Sequence, residues 1–179
     1  MKPVRLGWFI ALITFFLDQG SKLGVMRFFN ISARDILSLA PNVDLFPQGM
    51  SHSLLPCFNL TVTWNKGISY GLFQQETATG RWLLAGLSIL AIILLSYWLR
   101  SSKRQIITLA FGLIIGGALG NAVDRMAYGA VFDFAHFHLS DFSWYVFNIA
   151  DAAIVAGVIG FIYDALFPLK SDKTEISSS

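Results

Sequence analysis

The sequence predicts an α-helical membrane protein with four transmembrane helices, and composition is the first observation that leads there. Of the 179 residues, 55% are hydrophobic and only 13% are charged, whereas a soluble domain averages about 25% charged residues. The second observation is a set of four apolar stretches, each long enough to cross roughly 30 Å of hydrocarbon. They cover residues 6–28, 81–99, 106–123 and 147–167.

The length of the chain leaves room for one domain, which we assign to residues 1–170. The polar residues 171–179 form a tail that we expect to be disordered. The formal net charge is +2 and no basic stripe is present, so we expect no nucleic-acid partner.

Lysine and arginine residues near the span ends predict the orientation. In a four-span chain one side collects, within short segments, Lys2, Arg5, Arg100, Lys103, Arg104, Lys170 and Lys173. Such residues mark the cytoplasmic side, so we expect both termini in the cytoplasm. Most of the acids then lie at the outer ends of the spans, where charged side chains are costly to desolvate and often functional.

Two outer segments connect the spans. In the first, residues 29–80, the part from 30 to 56 has a loop-like composition, while residues 58–65 alternate apolar with polar as a strand does. A further apolar stretch at 68–73 suggests a small extracytoplasmic sheet, or cradle, on the membrane surface. The second segment is an outer loop between spans three and four. Its residues 130–139 fit a strand or an interfacial helix, and Trp144 and Tyr145 resemble interface aromatics.

Span three ends in a polar cluster. Gly117, Asn121 and Arg125 recur every four residues and therefore share one helix face, with Asp124 three residues after Asn121. Packing of small residues accounts for the glycines. It does not account for an asparagine one turn inside an apolar span, which favours a functional site.

Asp133 and Asp151 are the candidate catalytic residues. Asn148 and Asp151 share a face in the first turn of span four, where a cap and a favourable helix dipole offer a structural alternative. The loop that carries Asp133 must return to this same outer end. Two carboxylates brought together can share one proton and activate a water, as in aspartic proteases.

Two further polar groups have simpler interpretations. Asp18 and Lys22 in span one are spaced i, i+4, which favours a structural ion pair. Asn65 and Gly67 follow the predicted strand and by themselves indicate only a turn.

Other chemistries fit parts of the sequence. Asp133, His136 and His138 could bind a metal, but no His-Glu-x-x-His helix is present. A serine–lysine hydrolase would use Ser21 with Lys22 or Ser69 with Lys66, and a cysteine hydrolase would need Cys57. A cation or proton-coupled carrier would also place carboxylates in its spans, although usually deeper and with repeat symmetry. A lipid-binding scaffold would need no converging aspartates.

Taken together, five blocks of sequence resemble lipoprotein signal peptidase, the bacterial membrane aspartic protease family also called signal peptidase II. They are DQGSK at 18–22, NKG at 65–67, GGALGNAVDR at 116–125, VFDF at 131–134 and FNIAD at 147–151. The blocks occur in the family's order. Two departures are the residues Ile68, Ser69 and Tyr70 and the longer segment before Asn65.

The resemblance implies removal of the signal peptide from diacylglyceryl-modified prolipoproteins, just before the lipidated cysteine. It implies a catalytic pair of Asp133 and Asp151, without metal or cofactor. By the same resemblance, the residues that contact substrate or shape the site are Asn65, Gly67, Gly117, Asn121, Arg125 and Asn148, and those that support it are Asp18, Lys22 and Asp124. We expect a monomer in the bacterial inner membrane, in contact with lipid, with its site at the outer face.

Overall fold

Four long helices dominate the computed structural model, which describes residues 2–67, 78–140 and 142–167. They are α1 (Pro3–Phe28), α3 (Ala78–Leu99), α4 (Gln105–Ala127) and α5 (Ile149–Leu166). All four are long and apolar enough to cross a membrane, which confirms the four-span prediction. The apolar stretch at 68–73, which suggested a sheet, and the predicted tail at 171–179 lie outside the described residues.

Helix α4 is the centre of the bundle and packs against α1, α3 and α5. Within its apolar window 61% of the residues are buried, compared with 17% in α3 and α5. Glycines permit this close packing. A Cβ on Gly112 would lie 2.6 Å from the Gly7 carbonyl oxygen of α1, and one on Gly117 would lie 2.5 Å from the Ala150 carbonyl oxygen of α5.

The two segments that were predicted to be outer contribute the strands of one antiparallel sheet. Its strands, in spatial and sequence order, are β1 (Ser51–Leu55), β2 (Phe58–Asn65), β3 (Val131–Leu139) and β4 (Phe142–Ser143). The predicted strand at 58–65 is confirmed, and the strand alternative for 130–139 proves right. In the β2–β3 pair Thr63 lies opposite Asp133 and Asn65 lies opposite Val131. This register places the end of β2 beside the site where α4 ends.

The loop expected for residues 30–56 is wrong in part. This segment contains a short helix α2 (Ala33–Leu39), a 3₁₀ turn (Val43–Leu45) and strand β1. The reason is tertiary, because Ile36, Val43 and Phe46 are buried in one apolar cluster with residues of the sheet such as Val62 and Trp64. Turn-forming residues between these apolar anchors let the segment cover one face of the sheet.

Candidate active site

Asp133 and Asp151 converge on Asn148, where the sheet meets the helical bundle. Asp133 is fully buried on β3, and Asp151 is half-buried in the first turn of α5. The Asn148 side-chain Nδ2 donates to Asp133 Oδ1 at 2.7 Å, and its backbone N–H donates to Asp151 Oδ2 at 3.4 Å. One asparagine therefore contacts both carboxylates.

Strand β3 sets the start of α5. Backbone hydrogen bonds join Phe147 to Ala135, with N–O distances of 3.0 and 2.8 Å. They hold the chain extended through Asn148, which becomes the N-cap, so the helix begins at Ile149 rather than at the predicted residue 147. The Asn148 Oδ1 accepts the Asp151 N–H at 2.9 Å, which completes a capping box. The capping role predicted as an alternative is therefore present, together with the contact to Asp133.

Two more asparagine amides donate to the pair. Asn65 Nδ2 lies 3.1 Å from Asp133 Oδ2, and Asn121 Nδ2 lies 2.8 Å from Asp151 Oδ1. Burial raises the pKa of Asp133 well above its usual range, and the nearby Asp151 carboxylate raises it further. The amide donors from Asn65 and Asn148 act in the opposite direction, because they stabilise the ionised form.

Arg125 connects the predicted turn to helix α4. Its Nη2 donates to the Gly67 carbonyl oxygen at 3.0 Å, and its Nη1 donates to the Asn121 carbonyl oxygen at 3.4 Å. A cavity of about 390 Å³ opens beside it between α3, α4 and α5. Its lining residues are Leu84, Leu87, Ser88, Ala118, Asn121, Arg125, Asp151, Ile154 and Val155. Five of these lining residues are apolar, and the polar ones include the Asp151 carboxylate and the Arg125 guanidinium.

A buried ionic cluster lies next to the pair. Lys22 Nζ is 2.7 Å from Asp18 Oδ2 and 2.8 Å from Asp124 Oδ2, and all three side chains are almost completely buried. The predicted Asp18–Lys22 ion pair is confirmed. Gln19, which sequence reasoning missed, donates its Nε2 to Asp18 Oδ2 at 3.1 Å and to Asp124 Oδ1 at 3.0 Å.

The ionic cluster holds the backbone immediately before each candidate catalytic aspartate. Asp18 Oδ1 accepts the Ala150 N–H at 2.9 Å, and Asp124 Oδ2 accepts the Phe132 N–H at 3.1 Å. Lys22 Nζ also donates to Asn121 Oδ1 at 3.3 Å. Because Asn121 in turn donates to Asp151, three hydrogen bonds connect the ionic cluster to the site.

The geometry disfavours the metal, serine–lysine and cysteine chemistries that parts of the sequence fit. By strand alternation His136 and His138 point to the face of β3 opposite Asp133, and the described residues contain no group of three metal-ligating side chains. Lys22 is occupied by two carboxylates, and the Ser21 hydroxyl donates to the Asp18 carbonyl oxygen. Cys57 is exposed in the turn between β1 and β2, and Ser69 lies outside the described residues.

All the residues named as site candidates from the sequence meet in this region. Gly67 contributes its carbonyl oxygen, and Gly117 lets α5 approach α4 beside Asp151. Tyr145, which the sequence predicts to be an interface aromatic, has its hydroxyl oxygen 2.8 Å from Asn65 Nδ2. Gln19 could have been identified from the sequence, because a polar residue next to Asp18 inside a membrane span is costly to desolvate and often functional. No sequence signal distinguished Tyr145 from an ordinary interface tyrosine.

The chain is similar to several known proteins of one kind. The chain is 48% identical to the lipoprotein signal peptidase of Methylobacterium sp. (strain 4-46), over 93% of this chain and 92% of the relative. It is 49% identical to the lipoprotein signal peptidase of Methylobacterium radiotolerans, over 94% and 90% of the two chains. A solved structure of a bacterial membrane enzyme superposes with a TM-score of 0.70 at 26% identity, covering 94% of this chain and 92% of that one.

The family model for signal peptidase (SPase) II matches residues 10–167, which include every site residue described above. This match and the similarity to the lipoprotein signal peptidases favour a peptidase over the carrier and scaffold alternatives. The four spans and the membrane-enzyme neighbour make the chain a multi-pass membrane protein. The chain belongs to the signal peptidase II family.

Proposed function

We propose that this protein removes signal peptides from diacylglyceryl-modified prolipoproteins, just before the lipidated cysteine, with Asp133 and Asp151 as the catalytic pair. The observation that carries the proposal is the convergence of two carboxylates on Asn148, with amide donors on both. Family membership and the names of the relatives support the substrate class.

The two aspartates divide the acid and base roles. Asp133 carries the shared proton, because its burial beside Asp151 disfavours the charged form. Asp151, ionised, takes a proton from a water that attacks the scissile carbonyl carbon, while Asp133 donates a hydrogen bond to the carbonyl oxygen. When the tetrahedral intermediate collapses, the C–N bond breaks and the leaving nitrogen receives the proton from Asp151. The scheme requires no metal and no organic cofactor.

The cavity between α3, α4 and α5 accommodates the substrate peptide. Its apolar walls suit a signal-peptide segment, and Asn121 and Arg125 at its polar end can hydrogen-bond a peptide backbone across the pair. Asn65, Gly67 and Asn148 shape the other side of the site. Gly117 keeps α5 close enough to α4 for Asp151 to reach Asn121.

The protein works as a monomer in the bacterial inner membrane, with both termini in the cytoplasm and the site at the outer face. The short-loop bias of lysine and arginine supports this orientation. The pair lies at the bundle end that carries the sheet, where the diacylglyceryl group of a substrate would lie beside the spans. Each buried methylene contributes about 0.8 kcal/mol, so the lipid holds the cysteine at the depth of the pair.

A cleavage assay on a lipidated prolipoprotein peptide tests the function. We expect Asp133→Asn and Asp151→Asn each to lower kcat/KM by about 10⁴-fold, because each removes the ionisable group and keeps the shape. Asp35→Asn is the matched control, since Asp35 is an exposed acid on α2. The same peptide without its lipid should be cut poorly or not at all.

Two results would contradict the proposal. Turnover near the wild-type rate in either aspartate variant would exclude that residue from the catalytic pair. Equal kcat/KM values for the lipidated and unlipidated peptides would show that recognition depends on side chains and not on the lipid.

A further inference from the structure

Tyr145 lies in the connection between β4 and α5. One residue, Asn65, links it by hydrogen bonds to Asp133 of the proposed catalytic pair. Its hydroxyl oxygen accepts Asn65 Nδ2–H at 2.8 Å, and the same nitrogen donates to Asp133 Oδ2 at 3.1 Å. On the other side of the amide, Asn65 Oδ1 accepts the Gly67 N–H at 2.9 Å. The Asn65 amide is therefore held at three points, and Tyr145 is one of them.

The tyrosine also forms part of a cavity that reaches the second aspartate. This cavity of about 450 Å³ shares Asp151 and Val155 with the cavity between α3, α4 and α5, and it runs along the neighbouring face of α5. Its lining residues are Trp144, Tyr145, Phe147, Asp151, Ala152, Val155, Ala156 and Ile159. Tyr145 is thus connected to Asp133 by hydrogen bonds through Asn65, and it lines the same cavity as Asp151.

An asparagine amide needs such a partner to keep its orientation. The torsion that turns the amide plane is broad, so the hydrogen bonds to Asp133, to Tyr145 and from the Gly67 N–H together set the orientation of the Asn65 amide. Water and substrate entering the site offer competing partners for both N–H groups. A phenol is well suited to resist this competition, because its aromatic ring anchors in apolar surroundings while its oxygen accepts a hydrogen bond.

We propose that Tyr145 is a positioning residue for the catalytic pair, whose hydroxyl keeps the Asn65 amide donating to Asp133 during turnover. The inference rests on the proposed function, because it assigns Tyr145 to the aspartate pair of that reaction. The tyrosine acts through Asn65 and need not touch the reacting atoms. The tyrosine affects the pH at which the aspartate pair loses its shared proton, and it does not affect the affinity for substrate.

The test is Tyr145→Phe, which removes one oxygen atom and keeps the ring. We expect kcat to fall about fivefold with KM unchanged, the size of one net hydrogen bond. Donation from Asn65 stabilises ionised Asp133, so weakening it raises the Asp133 pKa. The pair then keeps its shared proton to higher pH, and the alkaline limb of the kcat profile moves up by about half a pH unit.

Tyr163→Phe is the matched control, since Tyr163 is an exposed tyrosine near the far end of α5. It should leave kcat and the pH profile unchanged. Thermal unfolding in detergent should be the same for both variants and the wild type. This comparison separates a local effect of the hydroxyl from a general loss of fold.

Two outcomes would overturn the inference. One is a wild-type kcat with an unmoved profile in Tyr145→Phe. The other is a lower kcat with an unmoved alkaline limb, which would indicate a merely structural role. Either would leave the proposed function intact, since that depends on the aspartate variants, whereas a wild-type protein that fails to cut the lipidated peptide would refute the proposed function itself.

Discussion

Two neighbouring pairs of aspartates in this protein have different kinds of partner. Asp18 and Asp124 share the ammonium of Lys22, at distances of 2.7 and 2.8 Å. Asp133 and Asp151 receive hydrogen bonds from neutral amides instead. Within the described part of the chain, no cationic nitrogen lies within ion-pair distance of either one.

This difference in partners distinguishes a structural group from a pair suited to proton transfer. A cation in contact with two carboxylates attracts both at close range, so the group acts as a fixed ionic link between helices. Amide donors stabilise an ionised carboxylate less, so a close buried pair retains one proton that it can transfer. The ionic cluster also supports the proposed catalytic pair, because it binds the N–H groups of Ala150 and Phe132.

The largest effect that would sharpen this comparison is expected from Lys22→Met. It leaves two buried carboxylates without their cation, a change that typically costs about 3–5 kcal/mol of folding free energy. Denaturant unfolding in detergent measures it. Lys66→Met is the control, because Lys66 pairs with Asp44, whose side chain is 77% exposed, and such pairs contribute about 1 kcal/mol or less. Equal losses in the two variants would refute the structural role of the cluster.

A smaller effect is expected from Gly117→Ala, at the contact that positions Asp151. The added Cβ would lie 2.5 Å from the Ala150 carbonyl oxygen, and such overpacking typically costs about 1–3 kcal/mol. Because α5 must shift, kcat should fall as well. Gly24→Ala on α1 is the control, with no atom within 4 Å of its new Cβ, and it should be neutral or slightly stabilising. A Gly117→Ala variant as stable and active as Gly24→Ala would contradict this interpretation.

The smallest effect is the pH at which the kcat/KM of the wild-type protein falls on the alkaline side. Burial, and then the charge of Asp151, raise the pKa of Asp133. A raised carboxyl pKa means that the proton stays bound as pH rises and is lost only above the usual value of about 4. The profile of kcat/KM against pH should therefore be bell-shaped, with its alkaline limb well above that value. A profile that falls near pH 4 would contradict the assignment of the shared proton to Asp133.

Local spacing explains which parts of the site were predictable. Gly117, Asn121 and Arg125 share a helix face because they are four residues apart, and Asp18 meets Lys22 for the same reason. The contact between Lys22 and Asp124 spans 102 residues of sequence and follows only from the packing of α1 on α4. No periodicity within either helix specifies that contact.

The segments that form the sheet also show that spacing along the chain predicts elements but not their contacts. The alternation in Phe58–Asn65 predicted β2, but the pairing that sets Asn65 opposite Val131 joins two distant parts of the chain. Residues 30–56 look like a loop because turn-forming residues dominate, and their few apolar side chains gain order only by burial against the sheet. Tyr145 belongs with these cases, since only the meeting of β2 with the β4–α5 connection brings it to Asn65.

By itself, the sequence determined the four spans, strand β2, the Asp18–Lys22 pair, and which aspartates and asparagines are candidates for the site. These follow from hydrophobicity and from periods of two and 3.6 residues, which act over neighbours along the chain. Tertiary structure alone decided which acids receive a cation and which receive amides. The physical reason is that charge neutralisation depends on distances of about 3 Å between groups from different elements, and only packing sets those distances.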